Sequence, residues 1–410
     1  MKKFGLLGER LEHSFSPQIH AMLADYEYKL YEKAPGEITE FLISGDFDGL
    51  NVTIPYKKTV FPLCKTLSDA AERIGGVNTI VRRKDGALYG DNTDYFGFSY
   101  LLGKAGVGIK GKKALVLGNG GASATVRTVL GDCGAGDVVT ISRKGPDNYK
   151  NIETHSDAQI IVNTTPVGMY PENGASPVPL GMFGSCEAVL DIIYNPAKTE
   201  LMLQAEDRGI TCLGGIYMLV AQAKRACDLF TGGENPDQDI DSITEAIERK
   251  MKNITFIGMP GCGKTTVGRR LAESTGRDFY DSDEIIAAKA GKSIEMIFAD
   301  DGEEAFRDLE ENVLGEVLKR SGCVIATGGG IVKRESNRRL LRQNSVTLFL
   351  DRAPNELPID GRPLSISSGI ETLYKERLPL YLEWSDHKIT ARGGVEETAR
   401  AVFEGLVASG

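Results

Sequence analysis

One stretch decides the fold of the second half of this chain: Gly258-Met259-Pro260-Gly261-Cys262-Gly263-Lys264-Thr265. This phosphate loop fits the pattern G-x-x-x-x-G-K-[ST], in which backbone N–H groups converge on phosphate oxygens at a helix N-terminus. The run before it, residues 253–257, is strand-like, and residues 266–274 favour a helix. This strand–loop–helix order predicts a nucleotide-binding domain that starts near Met251. The chain before that point is long enough to form another enzyme.

A second glycine-rich turn occurs much earlier. Apolar residues 114–117 lead into Gly118-Asn119-Gly120-Gly121-Ala122-Ser123, which we call the dinucleotide loop. A strand that feeds Gly-x-Gly and then a helix indicates dinucleotide binding, with a plain strand-to-helix turn as the alternative, since Ser123 occupies the third glycine position. The next strand, residues 138–141, ends at Ser142-Arg143-Lys144, where NAD sites usually carry a carboxylate. A hydroxyl and two cations there favour the 2′-phosphate of NADP, and a solvated loop is the alternative.

Composition narrows the class of protein. The hydrophobic content of 41% and charged content of 26% are typical of soluble globular proteins. A net charge of −9 without a basic tail argues against a nucleic-acid partner, and no run approaches the ~20 apolar residues of a membrane span. Seven Cys without a CxxC pair predict a cytoplasmic location, and four His without metal-ligand spacing predict no zinc site. Small-molecule partners are therefore expected.

The alternation of strand-like and helix-like runs predicts an α/β architecture with mainly parallel sheets. Between the two glycine-rich loops, residues 232–241 are acidic and rich in turn formers. Ser242-Ile243-Thr244-Glu245 has the pattern of a capping box, which predicts a helix that starts there and runs to about Met251. The connection to the second half is therefore predicted to be helical, not a long flexible linker.

Polar clusters mark the first 110 residues. They are Ser14-Phe15-Ser16-Pro17, the run NVTIPYK at residues 51–57, VNT at residues 77–79 and DNTD at residues 91–94. Each cluster alone is explained by turns, helix caps or a surface lysine. Further motifs follow in order: GNGGAS at 118–123, NTTPVGM at 163–169, DIIYNP at 191–196 and MLVAQA at 218–223.

Together these motifs resemble the shikimate dehydrogenase family over about residues 4–249. The resemblance implies a two-lobed α/β fold. A substrate-binding domain would cover residues 1–100, completed by 216–249, and a Rossmann-type NADP domain would cover 101–215. The implied reaction is the NADPH-dependent reduction of 3-dehydroshikimate to shikimate. A quinate-preferring relative is the alternative, and the two serines of the Ser-x-Ser pair favour shikimate.

The resemblance also implies roles for individual residues. Lys57 and Asp94 would form the catalytic pair, which supplies a proton to the alkoxide formed by hydride transfer. The substrate-binding set would be Ser14, Ser16, Thr53, Asn78, Tyr194 and Gln222. The NADP-binding set would be Gly118, Asn119, Gly120, Gly121, Ala122, Arg143, Thr164, Ile192 and Gly215. Ser142 departs from the family, in which Asn often precedes the arginine.

The second half has its own ordered motifs, which resemble shikimate kinase over residues 253 to about 400. They are DSD at 281–283, GEEAFR at 302–307, TGGG at 327–330, GRPL at 361–364 and ERLPLY at 376–381. Each motif alone is explained by a common structural feature: an acidic helix cap, a solvated helix face, a flexible turn or surface arginines. The implied fold is a P-loop kinase domain over residues 251–410 with a central parallel sheet, in which ATP phosphorylates the 3-hydroxyl of shikimate.

By this resemblance the catalytic residues are Lys264, Asp283 and Arg362. ATP would contact Gly261, Cys262, Gly263, Thr265 and Thr266, and Mg²⁺ would be served by Thr265 and Asp281. Shikimate would contact Arg307, Gly329 and Arg377, with the two guanidinium groups clamping its carboxylate.

The predicted protein is therefore a bifunctional enzyme of aromatic amino acid biosynthesis that uses NADP(H), ATP and Mg²⁺. Residues 351–362, where the kinase lid is expected, form a short run without a clear counterpart of the adenine-stacking arginine. The competing hypothesis is that one half is a degenerate binding or regulatory module. The sequence does not determine the oligomeric state, and it offers no support for direct channelling between the sites.

Overall fold

The computed structural model describes residues 2–11, 14–233, 239–357, 369–391 and 394–408. The chain packs as two compact units, one formed by Met1–Tyr194 with Thr199–Ile247 and the other by Asn195–Lys198 with Glu248–Gly410. Both predicted lobes of the dehydrogenase fall within the first unit, so their boundary near residue 100 stays a prediction. Within the described residues, no helix has the length and apolar character needed to cross a membrane.

The first unit contains a mixed six-stranded sheet with the order β2-β1-β3-β5-β6-β4. Its strands are β1 (Lys3–Gly8), β2 (Glu27–Glu32), β3 (Gly49–Val52), β4 (Thr66–Leu67), β5 (Thr79–Arg82) and β6 (Leu88–Asp91). Its helices are α1 (Ser16–Leu23), α2 (Ile38–Ser44) and α3 (Asp69–Ile74). β5 pairs antiparallel with both β3 and β6. The connection between β5 and β6 is only long enough for a hairpin, so β5 runs antiparallel to its neighbours, while the pairings β1–β2, β1–β3 and β4–β6 are parallel, as the prediction of mainly parallel sheets requires.

The second sheet of this unit is fully parallel, with the order β11-β10-β9-β7-β8. Its strands are β7 (Lys113–Leu117), β8 (Asp137–Ile141), β9 (Ile160–Asn163), β10 (Ala188–Asp191) and β11 (Thr211–Gly214). The helices are α4 (Asp94–Ala105), α5 (Gly121–Asp132), α6 (Glu200–Glu206), α7 (Ile216–Thr231) and α8 (Asp239–Met251). The strand order reverses at β7, and a crevice at such a reversal is where α/β sheets bind ligands.

The predicted start of α8 is wrong. The chain is already helical at Asp239, three positions before the proposed cap at Ser242. The hydroxyl of Thr244 donates to the carbonyl of Ile240 at 2.7 Å, which is an interaction within a helix. Asp241 accepts hydrogen bonds from Tyr100 and Lys104 of α4, and this contact holds the first turn of α8 in helical form.

The second unit is built on a parallel sheet with the order β13-β14-β12-β15-β16. Its strands are β12 (Asn253–Ile257), β13 (Phe279–Asp281), β14 (Val324–Ala326), β15 (Ser345–Asp351) and β16 (His387–Thr390). Its helices are α9 (Lys264–Thr275), α10 (Ser282–Ala290), α11 (Ile294–Asp300), α12 (Gly302–Leu318), α13 (Glu335–Asn344), α14 (Ile370–Trp384) and α15 (Val395–Ala408). The central strand β12 is buried along its whole length and has the predicted bounds. The α/β fold with a central parallel sheet is thereby confirmed.

Close packing of α4 on α7 positions Asp94 in the first unit. A β-carbon at Gly97 would lie 2.6 Å from the carbonyl oxygen of Met218 and 3.0 Å from Cβ of Gln222. Only a glycine allows this approach of the two helices. Gly103, on the same helix, has no atom within 4 Å of its would-be β-carbon.

We predict that Gly97→Ala lowers the free energy of unfolding of the first unit by about 1–3 kcal/mol, because the new methyl group forces α4 away from α7. Gly103→Ala is the matched control, and it should raise that free energy by up to about 1 kcal/mol through helix propensity. Denaturant unfolding of both variants would measure the difference. Equal stability of the two variants would contradict the packing argument.

Candidate active sites

Lys57 and Asp94 meet in the first unit. Lys57 lies in the turn after β3, and its Nζ donates to Oδ2 of Asp94 at 2.5 Å. Asp94 is the first residue of α4, where the positive end of the helix dipole favours a carboxylate. The side chains keep 28% and 13% of their surface exposed, so a ligand can reach both. This arrangement can deliver a proton from an ammonium group whose charge a neighbouring carboxylate supports.

Asn78 is held beside this pair by buried hydrogen bonds. Its Oδ1 accepts from the backbone N–H of Thr93 at 2.7 Å and from the Thr79 hydroxyl at 3.2 Å. With its oxygen committed, Asn78 can present its amide NH₂ group to a ligand. The Thr93 hydroxyl also lies 3.4 Å from Oε1 of Gln222, so the structure brings Asn78, Asp94 and Gln222 together.

The predicted carboxylate-binding serines lie at the start of α1. The backbone N–H of Ser16 donates to Oγ of Ser14 at 3.2 Å, which holds the Ser14 hydroxyl against the first turn of α1. Phe15, between them, packs edge-to-face on Tyr194 with ring centroids 6.2 Å apart. Thr53 follows β3, and its backbone N–H donates to the Leu7 carbonyl at 2.9 Å.

The predicted NADP residues follow the carboxyl ends of the second sheet. Gly118 has φ +104°, and a β-carbon there would lie 2.8 Å from Oγ1 of Thr164. Around Gly120 and Gly121 the space is open to 4 Å, which leaves room for a cofactor against the backbone at the start of α5. Arg143 is exposed two residues beyond β8, as a 2′-phosphate ligand would need to be.

Two further predicted NADP residues contact each other. The backbone of Gly215 lies against the Ile192 carbonyl so closely that a β-carbon would overlap it. Ile192 in turn donates its backbone N–H to the carbonyl of Asn163 at 3.1 Å, next to Thr164. Asn119 and Ala122 lie in the dinucleotide loop itself. The residues at the carboxyl ends of this sheet therefore leave room for a dinucleotide and can bind it.

In the second unit the phosphate loop precedes α9. Gly261 and Gly263 have φ of +81° and +104°, which other residues rarely adopt. Lys264 is buried and donates from Nζ to the carbonyls of Gly258 and Met259, both at 2.9 Å. The lysine is thus held over its own loop, ready to contact phosphate. Cys262 is fully buried, while Thr266 is exposed on α9.

Asp281 connects the phosphate loop to the next helix. Its Oδ2 accepts from the Thr265 hydroxyl at 2.6 Å, and its Oδ1 accepts from the backbone N–H of Asp283 at 2.9 Å. These adjacent oxygens fit Mg²⁺, which keeps several waters and phosphate ligands. Among the described residues, no three His, Cys, Asp or Glu side chains form a metal cluster of their own.

Asp283 lies opposite Glu310 in a cavity of about 400 Å³. Burial and the negative charges of Glu310 and Asp281 together raise the pKa of Asp283 to about 7, although the positive charges of Lys264 and Arg307 lower it. Burial also raises the pKa of Glu310. Oδ1 of Asp283 and Oε1 of Glu310 are buried without a hydrogen-bond partner among the described residues. Buried polar atoms are normally paired, so these atoms indicate a place for a polar ligand.

The two arginines that are predicted to bind the substrate carboxylate have different hydrogen-bond partners. Arg307 donates to Glu310 at 2.6 Å and to Glu303 at 3.1 Å, so two carboxylates already hold it. Arg377 donates from Nη1 to the Gly329 carbonyl at 2.8 Å. Its Nε and Nη2 are buried without a partner in the described part of the chain. Arg377 is therefore the better placed of the two to accept a carboxylate.

Residues 328–330, which we call the glycine turn, line this cavity. A β-carbon at Gly328 would lie 2.7 Å from Asp283 Oδ1 and from Glu310 Oε1. At Gly329 it would lie 2.5 Å from the ring of Pro260 in the phosphate loop, and at Gly330 it would overlap the Arg307 guanidinium. The glycine turn thus brings the phosphate loop and the charged groups together.

Some residues of these sites were not predicted from sequence. Glu310 follows Arg307 at the i+3 spacing of a helical ion pair, a signal that could have found it. Asn51 accepts from the Tyr28 hydroxyl at 2.8 Å and donates to Thr79, behind Asn78, although its motif was recognised. Arg362 lies outside the described residues, so its catalytic role stays a prediction.

Two family models match the chain. The model described as shikimate dehydrogenase substrate binding domain matches residues 6–80, and the model described as shikimate kinase matches residues 260–407. The second match covers the phosphate loop from Pro260 onward, together with Asp283, the glycine turn and Arg377.

Relatives cover the first part of the chain. The shikimate dehydrogenase (NADP(+)) of Clostridium beijerinckii is 39% identical over 249 residues, which are 56% of this chain and 92% of the relative.

Solved structures agree with this match. A chorismate mutase/shikimate 5-dehydrogenase fusion protein from Clostridium acetobutylicum has a TM-score of 0.58 and 35% identity, and covers 61% of this chain and 97% of its own. A shikimate 5-dehydrogenase from Thermus thermophilus, in complex with NADP(H) and shikimate, has a TM-score of 0.53 and 30% identity over 60% of this chain and 99% of its own. The chain therefore belongs to the shikimate dehydrogenase family, and it carries a shikimate kinase domain C-terminal to the dehydrogenase.

Proposed function

We propose that this chain catalyses two consecutive reactions: the NADPH-dependent reduction of 3-dehydroshikimate to shikimate, and the ATP-dependent phosphorylation of shikimate to shikimate 3-phosphate. One observation carries the proposal. The same chain holds a lysine–carboxylate pair in a dehydrogenase fold and a cavity with unpaired buried charges beside a phosphate loop. The product of the first reaction is the acceptor of the second. The cytoplasmic location and the lack of nucleic-acid partners stay predictions from composition.

In the dehydrogenase, NADPH supplies the hydride when it is bound. Lys57 holds the proton that the ring oxygen takes up, and Asp94 orients the ammonium group through their 2.5 Å hydrogen bond. Asn78 presents its amide to the ring hydroxyls, with Gln222 and Thr53 beside it. Ser14 and Ser16 bind the substrate carboxylate with their hydroxyls, and Tyr194 closes the same side.

In the kinase, ATP supplies the phosphoryl group when it is bound. Asp283 accepts the proton of the acceptor hydroxyl, a role for which a pKa of about 7 is well matched at neutral pH. Lys264 binds phosphate oxygens, and Thr265 with Asp281 serves Mg²⁺. Arg377 and Arg307 bind the acceptor carboxylate, and the Gly329 backbone lies beside the ring.

The direct test is to incubate the purified chain with 3-dehydroshikimate, NADPH and ATP–Mg²⁺ and to identify the products. We expect NADPH oxidation and the appearance of shikimate 3-phosphate. Omission of ATP should stop the reaction at shikimate. Accumulation of shikimate in the presence of ATP would show that the kinase half is a degenerate module, and the absence of NADPH oxidation would show the same for the other half.

Lys57→Met should lower kcat for the oxidation of shikimate with NADP⁺ by about 10²–10⁴-fold, because the proton-transferring group is lost. Shikimate phosphorylation by the same preparation should stay within twofold and serves as the internal control. Lys58→Met, at the exposed neighbouring position, is the matched control variant and should leave both reactions unchanged. Retention of half the dehydrogenase activity in Lys57→Met would refute the proposed role.

Asp283→Asn should lower kcat/KM for shikimate phosphorylation by about 10²–10⁴-fold and leave the dehydrogenase intact. Glu284→Gln changes an exposed carboxylate one position along α10 and provides the control. If Asp283→Asn phosphorylates shikimate at the wild-type rate, Asp283 is not the base.

The pH dependence of the kinase should follow Asp283. Because only the carboxylate accepts a proton, kcat/KM should fall about tenfold per pH unit below about 7.

The contribution of Asp283 to the stability of the fold depends on pH in the opposite direction. A folded pKa above the unfolded value favours folding at low pH, and this contribution is lost as pH rises through 7. Asp283→Asn should therefore raise the melting temperature of the kinase more at pH 8 than at pH 5, and an equal shift at both would contradict it.

A further inference from the structure

A buried tyrosine contacts the glycine turn from the side of the core. Tyr381 lies on α14, four residues after Arg377, and is fully buried. Its hydroxyl donates to the carbonyl of Gly329 at 2.5 Å. Its ring stacks on Phe349 of β15 with centroids 5.1 Å apart. Residues four apart share one face of a helix, so Tyr381 and Arg377 approach the same turn together.

The Gly329 carbonyl is held by two donors. Nη1 of Arg377 donates to it at 2.8 Å in addition to the Tyr381 hydroxyl. A carbonyl oxygen has two lone pairs, so both are used. On its other side, Gly329 packs against the Pro260 ring of the phosphate loop, with no room for a side chain. The orientation of this peptide is therefore set by Tyr381 and Arg377 together.

The hydrogen bond to the Gly329 carbonyl also orients the guanidinium of Arg377. One end of its guanidinium is tied to the Gly329 carbonyl, and its buried Nε and Nη2 have no partner in the described chain. If the Gly329 carbonyl rotated, the guanidinium would rotate with it, and those two donors would point elsewhere. Tyr381 supplies the second hydrogen bond that prevents this rotation.

We propose that Tyr381 is a positioning residue of the kinase acceptor site. It acts through Gly329 and Arg377 and contacts the core, not the acceptor. Its hydroxyl fixes the glycine turn and so fixes the direction of the free donors of Arg377. This inference rests on the proposed kinase function and adds a residue outside the motif residues assigned to substrate or nucleotide.

The Tyr381 hydroxyl has the proposed positioning role and the ring has a packing role, so the two can be tested separately. Tyr381→Phe removes the hydroxyl and keeps the stacking on Phe349. Its KM for shikimate should rise about five- to tenfold, the range expected when one hydrogen bond to a positioned group is lost. KM for ATP and kcat should stay within twofold, because this hydroxyl makes no hydrogen bond to Lys264, Thr265 or Asp283. Its contact with the phosphate loop is the weak one to Sδ of Met259 at 3.9 Å.

Two variants provide the controls. Tyr374→Phe removes a hydroxyl from the same helix that donates to Asp351 at 3.0 Å, and it should leave KM for shikimate unchanged. Phe349→Leu weakens the ring packing and keeps the Tyr381 hydroxyl, so it should lower the melting temperature without a selective rise in KM. The dehydrogenase activity of each preparation reports the integrity of the other unit.

The outcomes are distinguishable. A rise in KM for shikimate confined to Tyr381→Phe supports the inference. An unchanged KM in that variant, or an equal rise in Phe349→Leu, overturns it, because the hydroxyl would then have only a packing role. If the wild-type chain phosphorylates no shikimate, the proposed kinase function itself fails, and the inference fails with it.

Discussion

Parallel strands of one sheet end at the same edge, and this constraint places most of the candidate site residues of this chain. The dinucleotide loop follows β7, Thr164 follows β9, Ile192 follows β10 and Gly215 follows β11. In the second unit the phosphate loop, Asp281 and the glycine turn stand at or after the ends of β12, β13 and β14. Because these strands are buried, their order is set by packing, and the loops at their ends are brought together.

In the mixed six-stranded sheet, site residues are brought together across an antiparallel strand. Lys57 follows β3, while Asp94 follows β6, and β3 and β6 both pair antiparallel with β5. Two strands that flank one antiparallel neighbour run in the same direction, so their carboxyl ends again meet at one edge. The hairpin between β5 and β6 thus places the carboxyl ends of β3 and β6 at one edge, as the crossover connections between parallel strands do in the other two sheets. The lysine–carboxylate pair is the result.

Buried charge is the second constraint, and it concerns the kinase cavity. Asp283 and Glu310 are carboxylates that line one cavity, and neighbouring arginine and lysine side chains partly offset their repulsion. Such a pair destabilises the folded chain when both groups are ionised, and carboxylates with a raised pKa that line a cavity are typical of functional sites. The same arrangement raises the pKa of Asp283 toward neutrality, where a carboxylate accepts a proton effectively. Stability and reactivity therefore depend on pH in opposite directions at this residue.

The sequence by itself determined the class of fold, the two glycine-rich loops and the bounds of β12, because these depend on local backbone requirements and on short-range patterns of apolar residues. It also indicated most site residues, since their motifs are contiguous. The tertiary structure alone decided that Arg307 is held by two carboxylates while Arg377 keeps free donors, and that Tyr381 supports Gly329 from the core. It also corrected the start of α8, where contacts with α4 outweigh a local capping pattern. These features depend on residues far apart in the chain, whose distances and burial no local pattern contains.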